Sequence, residues 1–586
     1  MPLEKNWVVK PSVDSLLVQR LSAELGISPI LVQLLQQRGV DTVEKAKRFF
    51  NPQLSHLHDP FLMKDMDKAV ERVERAVAND EHILVYGDYD VDGTTAVSLM
   101  YKFLRSLGHK NLKFYIPDRY TEGYGISIKG IDYAASRGVT LVIALDCGIK
   151  AVEKIVYANE KGVDFIICDH HLPAEEIPAA VAVLDPKRSD CNYPFEDLSG
   201  CGVGFKLAQA YALRNNIPFS QLETLLDLLV VSIASDIVPL IDENRILAHY
   251  GLRRLNMNPS KGLHSIIKIC NLEFNNITID DIVFKIGPRI NAAGRMRMDE
   301  YDDTTRPSGG HAAVELLIEG NEGAAAQFGE VIDGFNQDRK SIDRDVTQQA
   351  HDYLTNTPEY LERKCIVIYN PEWMKGVVGI VASRLIETYY RPTVVLTMSN
   401  GFITGSARSI PGFDLYQAVE SCEDLLENFG GHMYAAGLTM RPENFEKFAE
   451  RFNAYVEKNI DPSILIPQVD IDMELLFSDI TPSFSRDLSR CQPFGPGNTM
   501  PMFATRGVCN QGNARLVGAT KEHISMDLMQ RQKPNTRLPA IAFQQPTHFK
   551  WIRMGGAVDI CYNIVDNNFR GKLKTQLRIK DIKPSK

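Results

Sequence analysis

Short apolar runs that end in acids recur along the first third of the chain. Ile83-Leu-Val-Tyr-Gly87 runs into Asp88-Tyr-Asp90-Val-Asp92-Gly93, Leu141-Val-Ile-Ala-Leu145 into Asp146, and Phe165-Ile-Ile-Cys168 into Asp169-His170-His171. Apolar runs this short, without alternation, predict strands covered on both faces, as in a parallel sheet. Helical stretches lie between them, Thr94 to Ser106 and Ser127 to Arg137. Strand and helix alternating in this way predict an α/β fold. The carboxyl ends of its strands share one edge, where the binding crevice lies. Acids and imidazoles far apart in the chain are therefore expected to meet there.

The pattern changes four times more, and the changes divide the chain. Residues 1–60 look helical. Ser28-Pro29 predicts an N-cap and first helical position, Gly39 a stop, and Asp41 with Glu44 a capping box opening the next helix. Two short helices invite a DNA-reading motif, but the second has few bases beyond Lys45, Lys47 and Arg48. The segment is expected instead to pack on the catalytic domain. Residues 61–320 carry the α/β alternation. They include a long apolar helical run, Leu225 to Ser235, that ends in Asp236. Residues 321–356 predict one long, mostly polar helix of the kind that bridges domains. Residues 357–465 form a second α/β unit, with strands Cys365–Tyr369 and Thr393–Thr397, a helix from Val377 to Tyr389, and a segment from Gly401 to Arg408. Residues 466–586 switch to short β-type runs, among them Phe503–Val508, Ile524–Leu528 and Val558–Val565. About five such strands predict a small barrel of the OB type, a platform for single strands.

Composition narrows the class. A chain of 586 residues exceeds one core, and 44% hydrophobic with 24% charged residues is an ordinary globular balance. No run approaches the ~20 apolar residues of a membrane span, and the N-terminus lacks the apolar core of a signal peptide. Ten dispersed cysteines without a Cys-x-x-Cys pair indicate neither a zinc ribbon nor a disulfide framework. The cytoplasm is the expected compartment. A net charge of −9 argues mildly against a nucleic-acid partner. Local charge decides more, because bound cations offset clustered acids and a basic channel can sit in an acidic exterior.

The acids point to metal chemistry. Asp88 to Gly93 matches the first half of a calcium-binding EF-hand loop, but the twelfth position is Leu99 and a strand precedes it, so that reading fails. A solvated turn or a helix N-cap would explain any one motif. Three together at strand ends, with Asp236 closing a buried helix, predict a metal centre. Mixed carboxylate and imidazole donors without thiolates suit Mn²⁺ first and Mg²⁺ second. Several carboxylates, one able to bridge, is the layout of a two-metal hydrolase acting on phosphoryl groups. Phosphate also needs guanidinium forks. Arg119 follows the strand Lys113–Ile116 on the same edge, Arg289 and Arg295 bracket a Gly- and Asn-containing turn, and Gly405-Ser406-Ala-Arg408 follows a strand of the second α/β unit.

With these residues in place the chain resembles the DHH phosphoesterases, whose four motifs match Asp90 and Asp92, Asp146, Asp169-His170-His171, and Asp236. It is most similar to the bacterial single-strand-specific exonucleases of that family, through Pro117 to Gly125, Leu198 to Lys206, Lys285 to Arg295, Gly376 to Leu385 and Gly430 to Gly437. The resemblance implies a DHH catalytic domain, a connecting helix, a DHHA1 domain and an OB-fold. It implies hydrolysis of single-stranded DNA from the 5′ end to mononucleotides, in DNA repair and recombination. Two divalent cations would be held by Asp88, Asp90, Asp92, Asp146, His170 and Asp236, with Asp146 bridging and Asp169 orienting a histidine. His171 would touch the scissile phosphate, and Arg119, Ser406 and Arg408 would take the 5′ end, with Arg289, Arg295 and His432 as further substrate contacts. A single-strand-binding protein and a helicase are the implied partners. Two departures stand out: Met374 where the family has His, and an acidic, Gly-rich insertion at 299–310 that predicts a mobile loop near a phosphate site. A phosphodiesterase of short oligonucleotides or cyclic dinucleotides is the nearest alternative, but such enzymes lack the C-terminal barrel. A non-catalytic single-strand-binding scaffold would have eroded ligands, and none is eroded.

Overall fold

The structure, a computed structural model, describes residues 4–296, 309–530, 533–569 and 572–585. The chain opens with a short strand, β1 (Asn6–Val9), and three helices, Ser15–Leu25, Pro29–Gln36 and Val43–Phe50. The Ser28 hydroxyl caps the second by accepting from the Leu31 amide at 3.2 Å, with Pro29 at the first helical position. The third is capped by Thr42, not by the expected Asp41–Glu44 box; Asp41 pairs with Lys45 at 2.8 Å.

Five parallel strands then build the catalytic sheet: β2 (Ile83–Gly87), β3 (Leu112–Tyr115), β4 (Leu141–Leu145), β5 (Asp164–Cys168) and β6 (Ala182–Leu184). Their order is β3-β2-β4-β5-β6, so the winding reverses between β2 and β4, and the crevice opens beyond the carboxyl ends of those two strands. Alternate residues serve opposite cores. Val85, Ile143 and Ile166 join the cluster formed with the helices Met66–Ala78, Val91–Ser106 and Gly200–Arg214. Tyr86, Ala144 and Ile167 face Ile128–Ser136 and Val152–Glu160 on the other side. Burial on both faces explains why these strands are apolar without alternation. The helix Leu226–Ser235 packs between Val91–Ser106 and Asp242–Met257.

The connecting helix, Glu322–Asn356, runs for 35 residues, roughly 50 Å at 1.5 Å per residue. Its first half lies on Lys261–Ile269 and Gly287–Ala293, and its second half on Val378–Tyr389. A bidentate pair from Arg384 to the buried Asp343, at 2.9 and 2.7 Å, fastens it to the second domain. That domain holds a mixed sheet of β7 (Ile366–Tyr369), β8 (Thr393–Ser399), β9 (Phe402–Arg408), β10 (Asn428–His432) and β11 (Ala435–Met440), in the order β10-β11-β9-β8-β7. Only β7 and β8 run parallel.

The C-terminal part contains β12 (Gln468–Ile471), β13 (Met473–Glu474), β14 (Phe503–Asn510), β15 (Arg515–Val517), β16 (His523–Gln530), β17 (Lys533–Ala542), β18 (Val558–Phe569) and β19 (Lys572–Pro584). The ladder β14-β18-β19-β17-β16 closes through pairing of β16 with β14, which makes the five-stranded barrel of an OB-fold. Here the expectation for residues 1–60 is corrected. β1 pairs parallel with β12, and Val18, Leu21, Leu31, Leu34 and Leu35 share one core with Phe484, Phe503 and Ile560 of the barrel domain. The apolar stripe of the N-terminal helices finds its cover there, and among the described residues hydrogen bonds to the catalytic domain begin at Phe49. The insertion at 299–310 lies outside the described residues except Gly309 and Gly310, which open the helix Gly309–Ile318. Among the described residues, no single helix is long and apolar enough to cross a membrane.

One buried ion pair locks the catalytic helices to the N-terminal segment. Lys206 and Glu243 are both fully buried and meet at 2.9 Å. Glu243 also accepts from the Tyr193 hydroxyl (2.5 Å) and the His58 amide (2.9 Å), while Lys206 donates to the His58 carbonyl at 2.8 Å. Breaking such a pair leaves an uncompensated buried charge, so Glu243→Ala should lower unfolding free energy by about 3–5 kcal/mol in chemical denaturation. Arg48→Ala, which removes only an exposed pair with Glu44, should change it too little to resolve. Equal losses in the two variants would refute this assignment.

Candidate active site

Three strand ends and three helix ends converge on the crevice. Asp88 leaves β2, and Asp90 caps the helix Val91–Ser106 by accepting from the Gly93 amide at 3.0 Å. Asp92, two residues further on in the first turn, is gripped from the opposite side. Its carboxylate accepts from the amides of Gly200 (2.6 Å) and Cys201 (2.9 Å) at the start of the Gly200–Arg214 helix, and from the Ser232 hydroxyl at 2.7 Å. A helix N-terminus supplies these donors and favours a negative charge. Gly200 has to be glycine, since a Cβ there would lie 2.5 Å from that of Asp146. Asp146 follows β4 in the left-handed region (φ 58°), a conformation that persists only where the surroundings over-determine it. Asp236 ends the helix Leu226–Ser235.

His170 stands at the centre. Its Nε2 lies 3.2 Å from an Asp146 oxygen, 3.6 Å from Asp236 and 3.8 Å from Asp92. Two overlapping donor sets result, Asp146–His170–His171 and Asp92–His170–Asp236, each with its donor atoms within 4.8 Å of one another. Asp88 and Asp90 border these sets without entering either. Burial, and then the charges of neighbouring acids, push the carboxyls of Asp88, Asp90, Asp146 and Asp236 upward. Buried oxygens of Asp88 and Asp146 and the Nδ1 of His170 have no hydrogen-bond partner. Buried, partnerless and mutually repelling carboxylates are what divalent cations relieve, and oxygen with imidazole donors fits them.

Asp169 does different work. One oxygen accepts from the His171 ring at 2.7 Å and from the amides of His170 and His171, and the other from the Ile149 amide at 2.9 Å. Burial alone would raise its carboxyl, but the His171 contact and these amides hold it down to about 2. Burial lowers His171, yet the Asp169 bond outweighs it and the imidazole is raised above its ordinary value. The His171 side chain is 44% exposed against 9% for His170, so His171 faces the crevice. Its Nε2 lies 3.2 Å from the Tyr124 hydroxyl.

A basic cluster faces the acids. The Arg119 guanidinium lies 5.1 Å above the Tyr89 ring. Burial and then the positive charges of Arg119 and Arg408 lower Arg295 to about 10, and burial followed by Arg119 lowers both Arg408 and Lys375. Ser406 and Arg408, two apart on β9, share a face of the sheet. Gly379, in the first turn of Val378–Tyr389, brings that helix N-terminus against them; a Cβ on it would lie 3.0 Å from Arg408 and 3.1 Å from Ser406. His432 pairs through Ala435 to Arg408 across the strands, and burial with the Arg408 charge lowers its imidazole. The two α/β domains touch here: Tyr120 donates to the Arg295 carbonyl at 2.7 Å, Arg295 to the Gly376 carbonyl at 3.3 Å, and Asn400 to the Tyr120 carbonyl at 3.1 Å. Arg289 is placed otherwise. It donates to Asp333 at 2.8 Å and ties the Gly287–Ala293 helix to the connecting helix. Met374 packs in the apolar cluster around Trp373 and Val377.

Four contributors were not anticipated. Asp185 follows β6 just as the other acids follow their strands, and burial raises its carboxyl to about 7. Lys187 donates to the His170 carbonyl at 2.6 Å. Tyr124 and the Gly200 helix terminus complete the set. The run Ala182-Val-Leu184 before Asp185 was a visible signal, and Tyr124 lies in the Pro117–Gly125 segment that carries the family resemblance, whereas nothing local marked Lys187.

Comparison with known proteins agrees along the whole chain. The DHH family N-terminal domain matches residues 82–233, the DHHA1 domain 362–458 and the RecJ OB domain 471–581. The single-stranded-DNA-specific exonuclease RecJ of Bacillus subtilis (strain 168) is 34% identical over 98% of this chain and 70% of its own length. Its namesake in Escherichia coli (strain K12) is 33% identical over 96% and 97%. The crystal structure of RecJ in complex with Mn²⁺ from Thermus thermophilus superposes with a TM-score of 0.83 at 25% identity, over 99% of this chain and 80% of that one. The chain belongs to the RecJ family of DHH proteins.

Proposed function

We propose that the protein is a metal-dependent exonuclease that removes mononucleotides from the 5′ end of single-stranded DNA, in DNA repair and recombination. One observation carries the reading: a buried carboxylate–imidazole cluster faces a cationic cluster that spans both α/β domains. The first would hold two divalent cations, Mn²⁺ before Mg²⁺, through Asp88, Asp90, Asp92, Asp146, His170 and Asp236. Asp146 would hold the ions at the centre of this set, 3.2 Å from the His170 Nε2 and within the field of Asp92, Asp90 and Asp236. Such ions make a water nucleophilic and neutralise the oxygens of an in-line displacement at phosphorus.

The chain's own residues do the rest. Ser406, Arg408 and the N-terminus of Val378–Tyr389 grip the terminal 5′-phosphate, with Arg119 and Arg295 beside them. His432 borders the same site. Asp169 fixes the His171 tautomer, leaving its exposed nitrogen to the scissile phosphate. A water oxygen then bonds to the phosphorus of the second nucleotide, the bond to the 3′ oxygen of the first breaks, and a 5′-mononucleotide leaves. Arg289 serves the frame, not the substrate. The connecting helix on one side and the Tyr120–Arg295–Gly376–Asn400 contacts on the other enclose the path, which favours a single strand over a duplex. Residues 61–320 act as the catalytic domain, 357–465 as the substrate-binding domain and 466–586 as the DNA platform. A helicase and a single-strand-binding protein are the proposed partners, since an enzyme confined to single strands needs them exposed, and the cytoplasm is the proposed compartment.

With Mn²⁺ and end-labelled DNA, label should be released at once as mononucleotide only from the 5′-labelled single strand. Chelation, Asp146→Ala or His170→Ala should each abolish that release. DNA bound but left intact would favour a scaffold, and cleavage of very short oligonucleotides alone a small-substrate phosphodiesterase. Removing one charge-assisted bond costs about 1.5–3 kcal/mol, so Arg408→Ala should lower kcat/KM roughly tenfold to a hundredfold on 5′-phosphorylated strands. On 5′-hydroxyl strands the loss should be much smaller. Equal losses on both would remove Arg408 from the terminal-phosphate site.

A further inference from the structure

Asp236 is held differently from the other acids of the centre. Asp88, Asp146 and Asp169 stand at strand ends, and Asp90 and Asp92 at the start of a helix. Asp236 instead begins a strap, residues 236–241, that leads from the helix Leu226–Ser235 to Asp242–Met257. Ile237 and Asp242 bound that strap with left-handed backbones, φ 61° and 44°. A β-branched residue in that region is a genuine outlier and persists only where the surroundings over-determine it. The Ile237 side chain cannot supply the constraint, being 62% exposed.

The C-terminal domain supplies it. The Leu240 amide donates to the Pro496 carbonyl at 2.7 Å. Gly495 and Gly497 lie so close that a Cβ would sit 2.6 Å from Leu240 Cδ1 and 3.0 Å from Ile241 Cγ2, respectively. Within the strap, Asn244 donates to the Pro239 carbonyl at 3.0 Å. Just beyond it, the buried Arg245 donates to the carbonyls of Cys491 (3.2 Å), Gln492 (3.0 Å) and Pro493 (3.4 Å). It also donates twice to the Phe49 carbonyl, at 3.1 and 3.0 Å, and lies 3.8 Å over that ring. Five bonds to backbone carbonyls and, among the described residues, none to a carboxylate is an arrangement for pinning chain segments together. The segment pinned, 491–498, leads from the helix Pro482–Ser489 toward β14 of the barrel.

We propose that Arg245 and the Gly495-Pro496-Gly497 turn are positioning residues of the metal centre: they hold the strap in the one conformation that presents Asp236 to His170. The C-terminal domain thus completes the metal site as well as carrying DNA. The inference rests on Asp236 being a metal ligand, and residues that orient ligands typically change metal affinity about 10–100-fold when lost.

The test uses the full chain and two readouts that do not depend on turnover: Mn²⁺ affinity from the spin-resonance signal of free ion, and binding of labelled oligo-dT in chelator. Arg245→Ala, Gly495→Val and Asp236→Asn should each weaken Mn²⁺ at least tenfold, with Arg245→Lys recovering part of the loss, while metal-free oligo-dT binding stays at the wild-type level. Circular dichroism at the assay temperature selects folded variants, and Gly495→Val decides if Arg245→Ala is unfolded. Wild-type Mn²⁺ affinity in the folded junction variants, beside a loss in Asp236→Asn, would overturn the positioning role and leave the ligand assignment standing. Wild-type affinity in Asp236→Asn would overturn the ligand assignment and this inference with it. Parallel loss of Mn²⁺ and oligo-dT binding would mark general damage to the domain and also count against it.

Discussion

Five aspartate carboxylates gathered beside one buried imidazole set the terms for the rest of the molecule. The carboxyl ends of the catalytic strands and the end of the helix Leu226–Ser235 bring them together at one crevice, where Asp88, Asp92 and Asp146 are buried and Asp90 and Asp236 half-buried. Unpaired buried charge is costly, and like charges at these separations compound the cost. Part of it is met by fixed dipoles: the Gly200 helix terminus takes Asp92, and backbone amides with His171 take Asp169. The orphaned oxygens of Asp88 and Asp146 are left for cations. The fold thus gathers carboxylates that its own dipoles satisfy only in part.

The second cluster mirrors the first. Arg119, Arg295, Arg408 and Lys375 also repel one another, and each of the last three is pushed toward giving up its proton. In the proposed reading, the phosphates of a strand laid between the two clusters would neutralise the arginines, and divalent cations would offset the acids. Two half-sites on separate domains have to keep a fixed distance for this to work. The Arg384–Asp343 pair on the connecting helix and the Tyr120–Arg295–Gly376 contacts provide that rigidity from opposite sides. Preorganised charge of this kind needs little rearrangement when the strand arrives.

Much of this was legible one residue at a time. Leu141–Leu145 was predicted as a strand and is one, because five consecutive apolar residues can be buried only between two helical layers. The connecting helix was legible from its length without Pro, and the barrel from its short alternating runs. Apart from one local cap, what escaped depends on neighbours distant in sequence. Asp41 looked like a cap, yet Thr42 fits the helix start because its backbone is extended there. Arg289 carries the charge of a phosphate ligand, but Asp333, 44 residues away, takes it. The N-terminal helices show an apolar stripe without saying which surface will cover it, and the barrel does so through β12 and Phe484.

The division has a physical basis. Period, capping chemistry and the placement of acids at strand ends are local, so the sequence by itself determined the α/β class, the domain succession and the identity of the acids and imidazoles at the crevice. Distances and orientations are not local. That His170 faces inward while His171 faces the crevice, that Asp92 is held by Gly200, and that the strap behind Asp236 is clamped by Arg245 and Pro496 were decided only when distant segments packed. Side-chain direction and burial are set by which surfaces exclude water together, and no single segment contains that information.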